Sequence, residues 1–321
     1  RLMWEYSSEL TRYGTPMAPM LMPHWTDGCI GSMEGLYFES STTTPFHFLI
    51  QSELSTAPSR AQRDLPYRSF DIDAGIDHLQ QFGVKYYAAS SQVATEKAKQ
   101  HSSLTQIANS GPWTIFKVKN SELVTQLDFE PAVFTQLEHS EWLDPSVEIF
   151  QKGSQAVVRT LGGMDHWQYV DLEEEPERIG LPRVEISEIN VDTDRIEFKV
   201  DEIGVPVIVK TSYFPNWKVE GARGPWRATP NLMVVVPTEK EVTLDYSRSS
   251  VEVVSILLTL FGLISLAFVA RKSSSSDFSF TWFDSNLIFP DFDKRLDKWA
   301  KSNLEEYETE NFGLLNEEVQ S

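Results

Sequence analysis

The feature that most constrains this chain is an unbroken apolar run near its C-terminal end, Val253–Ala270 (VVSILLTLFGLISLAFVA), followed directly by Arg271 and Lys272. Its 18 residues carry no charge. As an α-helix the run extends about 27 Å, close to the roughly 30 Å hydrocarbon core of a bilayer. A helix buried in a globular core usually keeps a polar face, and this one has none. The run therefore predicts one transmembrane helix over residues 250–271, dividing residues 1–249 from a tail of residues 272–321. The basic pair after the run places the tail in the cytoplasm and residues 1–249 outside the membrane.

Charge and cysteine content narrow the function classes. The formal net charge is −19, which argues against nucleic acid as a partner, because phosphate-backbone binding needs a basic face. The single cysteine, Cys29, excludes an intrachain disulfide and a zinc site built from several cysteines. The chain opens at Arg1 with neither an initiator methionine nor an export signal, so the expectation is the C-terminal part of a longer, multi-pass membrane protein.

The local patterns predict an α+β fold. Residues 1–20 suit the exit of a preceding membrane helix and an extended segment, and residues 22–48 read as a long structured loop. Residues 71–90 (DIDAGIDHLQQFGVKYYAAS) read as a helix stopped at Gly83 and then a strand, Val84–Ala89. A second helix is expected over residues 91–108 and a strand over Trp113–Val118. Residues 1–135 thus form a small extracytoplasmic α/β domain, and residues 136–182, with the acidic run Glu173–Glu175, a connecting segment. From Arg183 the pattern changes to short β-branched stretches (VEISEINV, DRIEFKV, VPVIVKTSYF, LMVVVP, EVTLDYS). Their regular spacing predicts an antiparallel β-sandwich over residues 183–249, close to the bilayer surface. The tail is expected to be largely disordered, with a short amphipathic helix over residues 291–307.

The densest polar set lies in the 22–48 loop. Asp27, Glu34 and Glu39, with His47, are candidate groups for binding sugar hydroxyls, and Trp25 and Tyr37 offer stacking faces. The plainer alternative is a structured loop whose acids cap turns. His24, Cys29 and His47 match no zinc spacing, so no metal is assigned. No phosphate-binding glycine loop and no nucleophile elbow occurs. Tyr213–Val219 (YFPNWKV) reads as a strand corner in which Trp217 covers the sandwich core, with an aromatic ligand shelf as the alternative.

That corner carries a resemblance. YFPNWKVEG, then LMVVVPTEKEVTLDYS, then a terminal membrane helix resembles the C-terminal end of YfhO-type bacterial membrane proteins and their actinobacterial relatives. Upstream, FGVKYYAAS and GPWTIFKVKN resemble two strands of the same proteins, although Thr238-Glu239-Lys240 replaces a glycine of the pattern. These proteins are similar to GT-C glycosyltransferases, which take sugars from polyprenyl-phosphate donors outside the membrane. The resemblance implies a cell-envelope glycosyltransferase-like protein, with the bilayer and a glycan or polyprenyl-phosphate sugar as partners. It implies no cofactor within these residues; a divalent metal and the catalytic acid would belong to a region upstream of Arg1. This chain would then shape acceptor or glycan binding and be inactive alone. The alternative is a non-enzymatic, membrane-anchored glycan-binding or assembly protein; a self-contained hydrolase using Asp27, Glu34 or Glu39 is a third.

Overall fold

A computed structural model describes residues 1–33 and 42–273. The tail from residue 274 onward, including the helix expected over residues 291–307, lies outside the described residues. Two compact units result, Arg1–Ser249 and the segment from Ser250 onward. The chain is α+β.

The first unit opens with β1 (Leu2–Trp4), α1 (Met22–Trp25), α2 (Thr44–Leu54), α3 (Ile72–Gln81) and β2 (Tyr86–Ala89). It continues through α4 (Gln92–Gln100), β3 (Leu104–Ser110), β4 (Trp113–Val118), β5 (Val124–Gln126) and β6 (Ala132–Phe134). α5 (Leu143–Gln151), β7 (Arg159–Leu161) and β8 (Gln168–Val170) follow. The remaining strands are β9 (Ile186–Val191), β10 (Arg195–Val200), β11 (Val207–Val209), β12 (Trp217–Glu220), β13 (Ala222–Ala228), β14 (Leu232–Pro237) and β15 (Glu241–Tyr246).

Among the described residues these strands form three sheets, with orders β1-β2-β4-β3, β12-β15-β10-β9 and β5-β11-β14-β13-β7-β6-β8. The seven-stranded sheet is the centre of the unit. Along β14, Met233 and Val235 join a core with Ile196, Phe198, Val242 and Leu244 of the four-stranded β12-β15-β10-β9 sheet. Leu232, Val234 and Val236 join a second core with Leu79 of α3, Phe82 just after it, Phe150 of α5, and Tyr87 and Phe116 of the first sheet. β11 divides the same way, Val207 and Val209 to one side and Ile208 to the other. A strand covered on both faces has no polar positions, which is why LMVVVP is apolar throughout.

Strands pair across the boundaries read from sequence at residues 135 and 182. β5 pairs antiparallel with β11, and β6 pairs parallel with both β7 and β8. The antiparallel sandwich forms, and its second sheet is completed by strands from outside residues 183–249.

Three local elements differ from the sequence reading. Leu2–Trp4 is a buried strand alongside β2, because Met3 packs into the helix-side core and Leu2 and Trp4 pack with Met20 and Ala88 in a smaller cluster. The helix read over residues 91–108 ends at Gln100, and Leu104–Ser110 turns back to pair with β4. The end of the expected 22–48 loop is helical: α2 begins at Thr44 and is buried from Pro45 to Leu54, so its sequence shows no polar–apolar period.

The helix boundaries follow from their end residues. Asp71 caps α3 by accepting from the backbone N–H groups of Asp73 and Ala74. Gly83, at φ 62°, closes it: its N–H donates to Gln80 O and the Val84 N–H to Leu79 O, the paired bonds of a Schellman turn. Gly75 lets α3 approach α2, since a Cβ there would lie 2.5 Å from Leu54 Cδ2.

The second unit contains α6 (Ser250–Ser273), which is long and apolar enough to cross a membrane. Its described apolar side chains are exposed around the helix, as in Val251, Leu258, Phe261 and Ile264.

The two faces of β14 generate a prediction. Leu232→Ala and Met233→Ala each remove packing from a different core, at a cost of about 2–5 kcal/mol. Urea unfolding of the chain in detergent should show both variants lowering the midpoint of one shared transition. Separate transitions for the two cores would refute the single unit.

Candidate functional site

The six candidate sugar-binding residues fall into three groups. Trp25 ends α1 and is 57% exposed, and Asp27 follows at φ 48°, also exposed. His47 is fully buried in α2, its ring 5.7 Å from that of Trp4 and 5.2 Å from that of Phe48. Glu34, Tyr37 and Glu39 lie outside the described residues. Trp25 and Asp27 therefore meet solvent together, and His47 contributes to the interior.

The buried acids hold the scaffold. Glu5, which follows β1, accepts from the N–H groups of Ser90 and Ser91 at 2.8 Å each and from the Thr56 hydroxyl at 3.2 Å. One carboxylate thus ties β1, the end of α2 and the start of α4. Glu53 Oε2 lies 2.6 Å from His78 Nδ1, and His78 Nε2 lies 3.0 Å from Phe150 O. The imidazole also stacks on Phe150 at 3.9 Å. This Glu–His pair has the spacing of a catalytic dyad, but its outer nitrogen is engaged by a backbone carbonyl, so it clamps α2, α3 and α5 together.

Arg227 on β13 is buried over Trp142, 4.6 Å from the ring centroid. It donates through Nε to Asn231 Oδ1 at 2.9 Å and to His139 O at 3.2 Å, with no acid partner among the described residues. Burial pulls its pKa down to about 10.

Between α3, α5 and the seven-stranded sheet lies a cavity of about 210 Å³, lined in part by Asp77, Gln126, Phe150, Ile208 and Lys210. Lys210 follows β11 and is 7% exposed. Its ammonium donates to Gln80 O at 2.8 Å. Burial lowers its pKa to about 8, opposed in part by the charge of Glu122. The cavity offers a buried hydrogen-bond donor among mixed polar and apolar side chains. Asp77, which would be its acidic counterpart, accepts from the Ser154 N–H at 2.8 Å and so closes the loop after α5.

Among the described residues no group of three or more His, Cys, Asp or Glu is placed to hold a metal ion. Sequence reasoning singled out neither Lys210 nor Arg227. The available signal was a cation within or beside an apolar strand, VIVK for Lys210 and the WRA that precedes LMVVV for Arg227.

The lowered pKa of Lys210 fixes the sign of a pH effect. Between about 8 and the ordinary lysine value of about 10.4, the folded chain binds fewer protons than the unfolded chain, so stability contributed by this group rises with pH through that window. Lys210→Met should gain about 1–2 kcal/mol at pH 7, the relieved desolvation outweighing one lost hydrogen bond. The gain should shrink toward pH 10. Urea titration of both proteins at the two pH values checks this, and equal stability at pH 7 would contradict it. No family model, curated protein or solved structure matches the chain.

Proposed function

We propose that this chain is the C-terminal extracytoplasmic unit, last membrane helix and cytoplasmic tail of a polytopic, glycosyltransferase-like protein of the bacterial cell envelope. In that role the Arg1–Ser249 unit shapes binding of an acceptor glycan, and a polyprenyl-phosphate sugar is the donor. What supports the reading is that the segments carrying the YfhO-type resemblance are skeleton elements of one unit. FGVKYYAAS supplies β2, GPWTIFKVKN supplies β4, and YFPNWKVEG supplies the corner into β12. LMVVVPTEKEVTLDYS supplies β14 and β15, and α6 follows three residues later. Within the unit, exposed Trp25 beside Asp27 offers a stacking face next to a hydroxyl-binding carboxylate.

A second reading has its own observation. The buried acids Glu5 and Glu53 are committed to holding the scaffold, and the outer nitrogen of His78 is engaged by the Phe150 carbonyl. This favours a non-enzymatic glycan-binding or assembly role within the same envelope setting.

Trp25→Ala combined with Asp27→Asn, Glu34→Gln and Glu39→Gln, in the intact protein in its own cell, separates the two. Transfer predicts envelope glycan reduced about tenfold or more, the loss of one or two charge-assisted hydrogen bonds, with lipid-linked precursor accumulating. Normal precursor consumption with misplaced glycan supports the assembly role. Unchanged glycan at normal protein level sinks both. Topology has a separate check, because Cys29 is exposed and is the only cysteine of the chain. A membrane-impermeant maleimide should label it on intact cells, and Cys29→Ser should lose that share of the labelling. Labelling only after permeabilisation would place the unit inside.

A further inference from the structure

The first sheet carries a second concavity, of about 760 Å³, whose walls are cationic. Its charged lining is Arg1, Lys85, Lys117, Lys119 and Glu122. The topology brings these together. β1 and β2 run parallel and β4 runs antiparallel to β2, so the starts of the first two strands meet the end of the third. The Tyr86 N–H donates to Arg1 O at 3.1 Å and the Val118 N–H to Lys85 O at 2.9 Å, which sets the two cations on neighbouring strands. On β4 the two-residue period buries Phe116 and Val118 and turns Lys117 and then Lys119 outward.

This concentration runs against the chain as a whole, which has 47 acidic and 28 basic residues. Several surface cations elsewhere have acids beside them. Lys199 lies 2.9 Å from Glu188 and 3.2 Å from Glu241, and Arg195 lies 2.8 Å from Glu197 and 3.6 Å from Asp245. In the cleft, Lys85 and Lys117 make no ion pair among the described residues, although both are exposed. Lys119 donates to Ser102 O at 2.7 Å. The Arg1 guanidinium donates to the carbonyls of Phe82 at 3.0 Å and Lys210 at 2.5 Å, partners that leave its charge unneutralised. Four cations around one acid repel one another, and an anion of more than one charge relieves that repulsion.

We propose that this cleft binds a phosphate ester group, as a phosphate or diphosphate that is either free in solution or carried on a lipid. Lysine ammonium groups act as point charges toward phosphate without the fork geometry a carboxylate rewards. A lone carboxylate neutralises one cation and leaves the others facing each other. A long polyanion such as nucleic acid meets repulsion from the chain's net charge of −19. Arg1, anchored through its carbonyl partners, supplies a fixed charge, and Lys85 and Lys117 supply the adaptable donors.

The test uses the full chain in phosphatidylcholine nanodiscs. One arm titrates inorganic diphosphate by calorimetry. The other measures co-sedimentation with phosphatidylcholine vesicles that contain phosphatidic acid, against vesicles that lack it. Saturable binding is expected in at least one arm, weakening as salt rises. Lys85→Ala with Lys117→Ala should weaken it at least about tenfold, Lys85→Arg with Lys117→Arg should retain it, and Lys199→Ala should leave it unchanged. Binding to diphosphate assigns a free phosphate, and binding to the phosphatidic acid vesicles alone assigns a lipid-borne one. Binding in neither arm overturns the proposal. So does a double alanine variant that melts with the wild type and binds as tightly, or a Lys199→Ala variant that loses as much. The readout contains no sugar transfer, so its failure leaves the glycan experiment standing, and the reverse holds.

Discussion

The unit depends on burial of β11 and β14 from both sides. Each strand sends alternate side chains into two different cores, one shared with the β12-β15-β10-β9 sheet and one shared with the helices and the first sheet. Such a strand cannot be solvated on either face, so neither core can form fully without the other. This makes residues 1–249 a single unit although their sequence reads as an α/β part, a connector and a sandwich. The connector is itself structural: β7 and β8 flank β6 in the central sheet, and α5 places Phe150 against His78.

Much of this was legible from local pattern. The β-branched stretches after Arg183, the Gly83 helix stop, the WTIFKV strand and the apolar C-terminal helix all fall where propensity and periodicity put them. What escaped is what local pattern does not encode. α2 is buried all round, so FHFLIQSEL has no amphipathic signature. β5, β6, β7 and β8 are three residues each, too short for a period to register, and they gain stability from pairing with distant strands. LMVVVP did announce burial on both faces, but naming the two partner layers required long-range pairing. The candidate sites divide similarly. The 22–48 segment drew attention because its polar residues are dense in sequence, whereas the four cations of the cleft are separated by up to 118 positions, from Arg1 to Lys119, and converge only through the order β1-β2-β4.

Polar chemistry in the interior has a shared logic. Glu5, the Glu53–His78 pair and Arg227 each spend their hydrogen-bonding capacity on backbone groups or fixed side chains of other elements. They lock the layers in register and are poorly placed to exchange protons with a substrate. Lys210 differs in being buried beside a cavity, with desolvation as the main influence on its charge. Trp25 and Asp27 are exposed, and the charged lining of the cleft is mostly cationic.

The central claim is that one strand joins two cores into one cooperative unit, and hydrogen exchange tests it most directly. In the full chain in detergent, the hydrogen-bonded amides of β14 should be the slowest to exchange. They should open only with global unfolding, together with those of β10 and β15 on one side and α3 on the other. If the β12-β15-β10-β9 sheet exchanges as a separate, more stable block while β14 opens with the helices, the unit is two domains and the account is wrong.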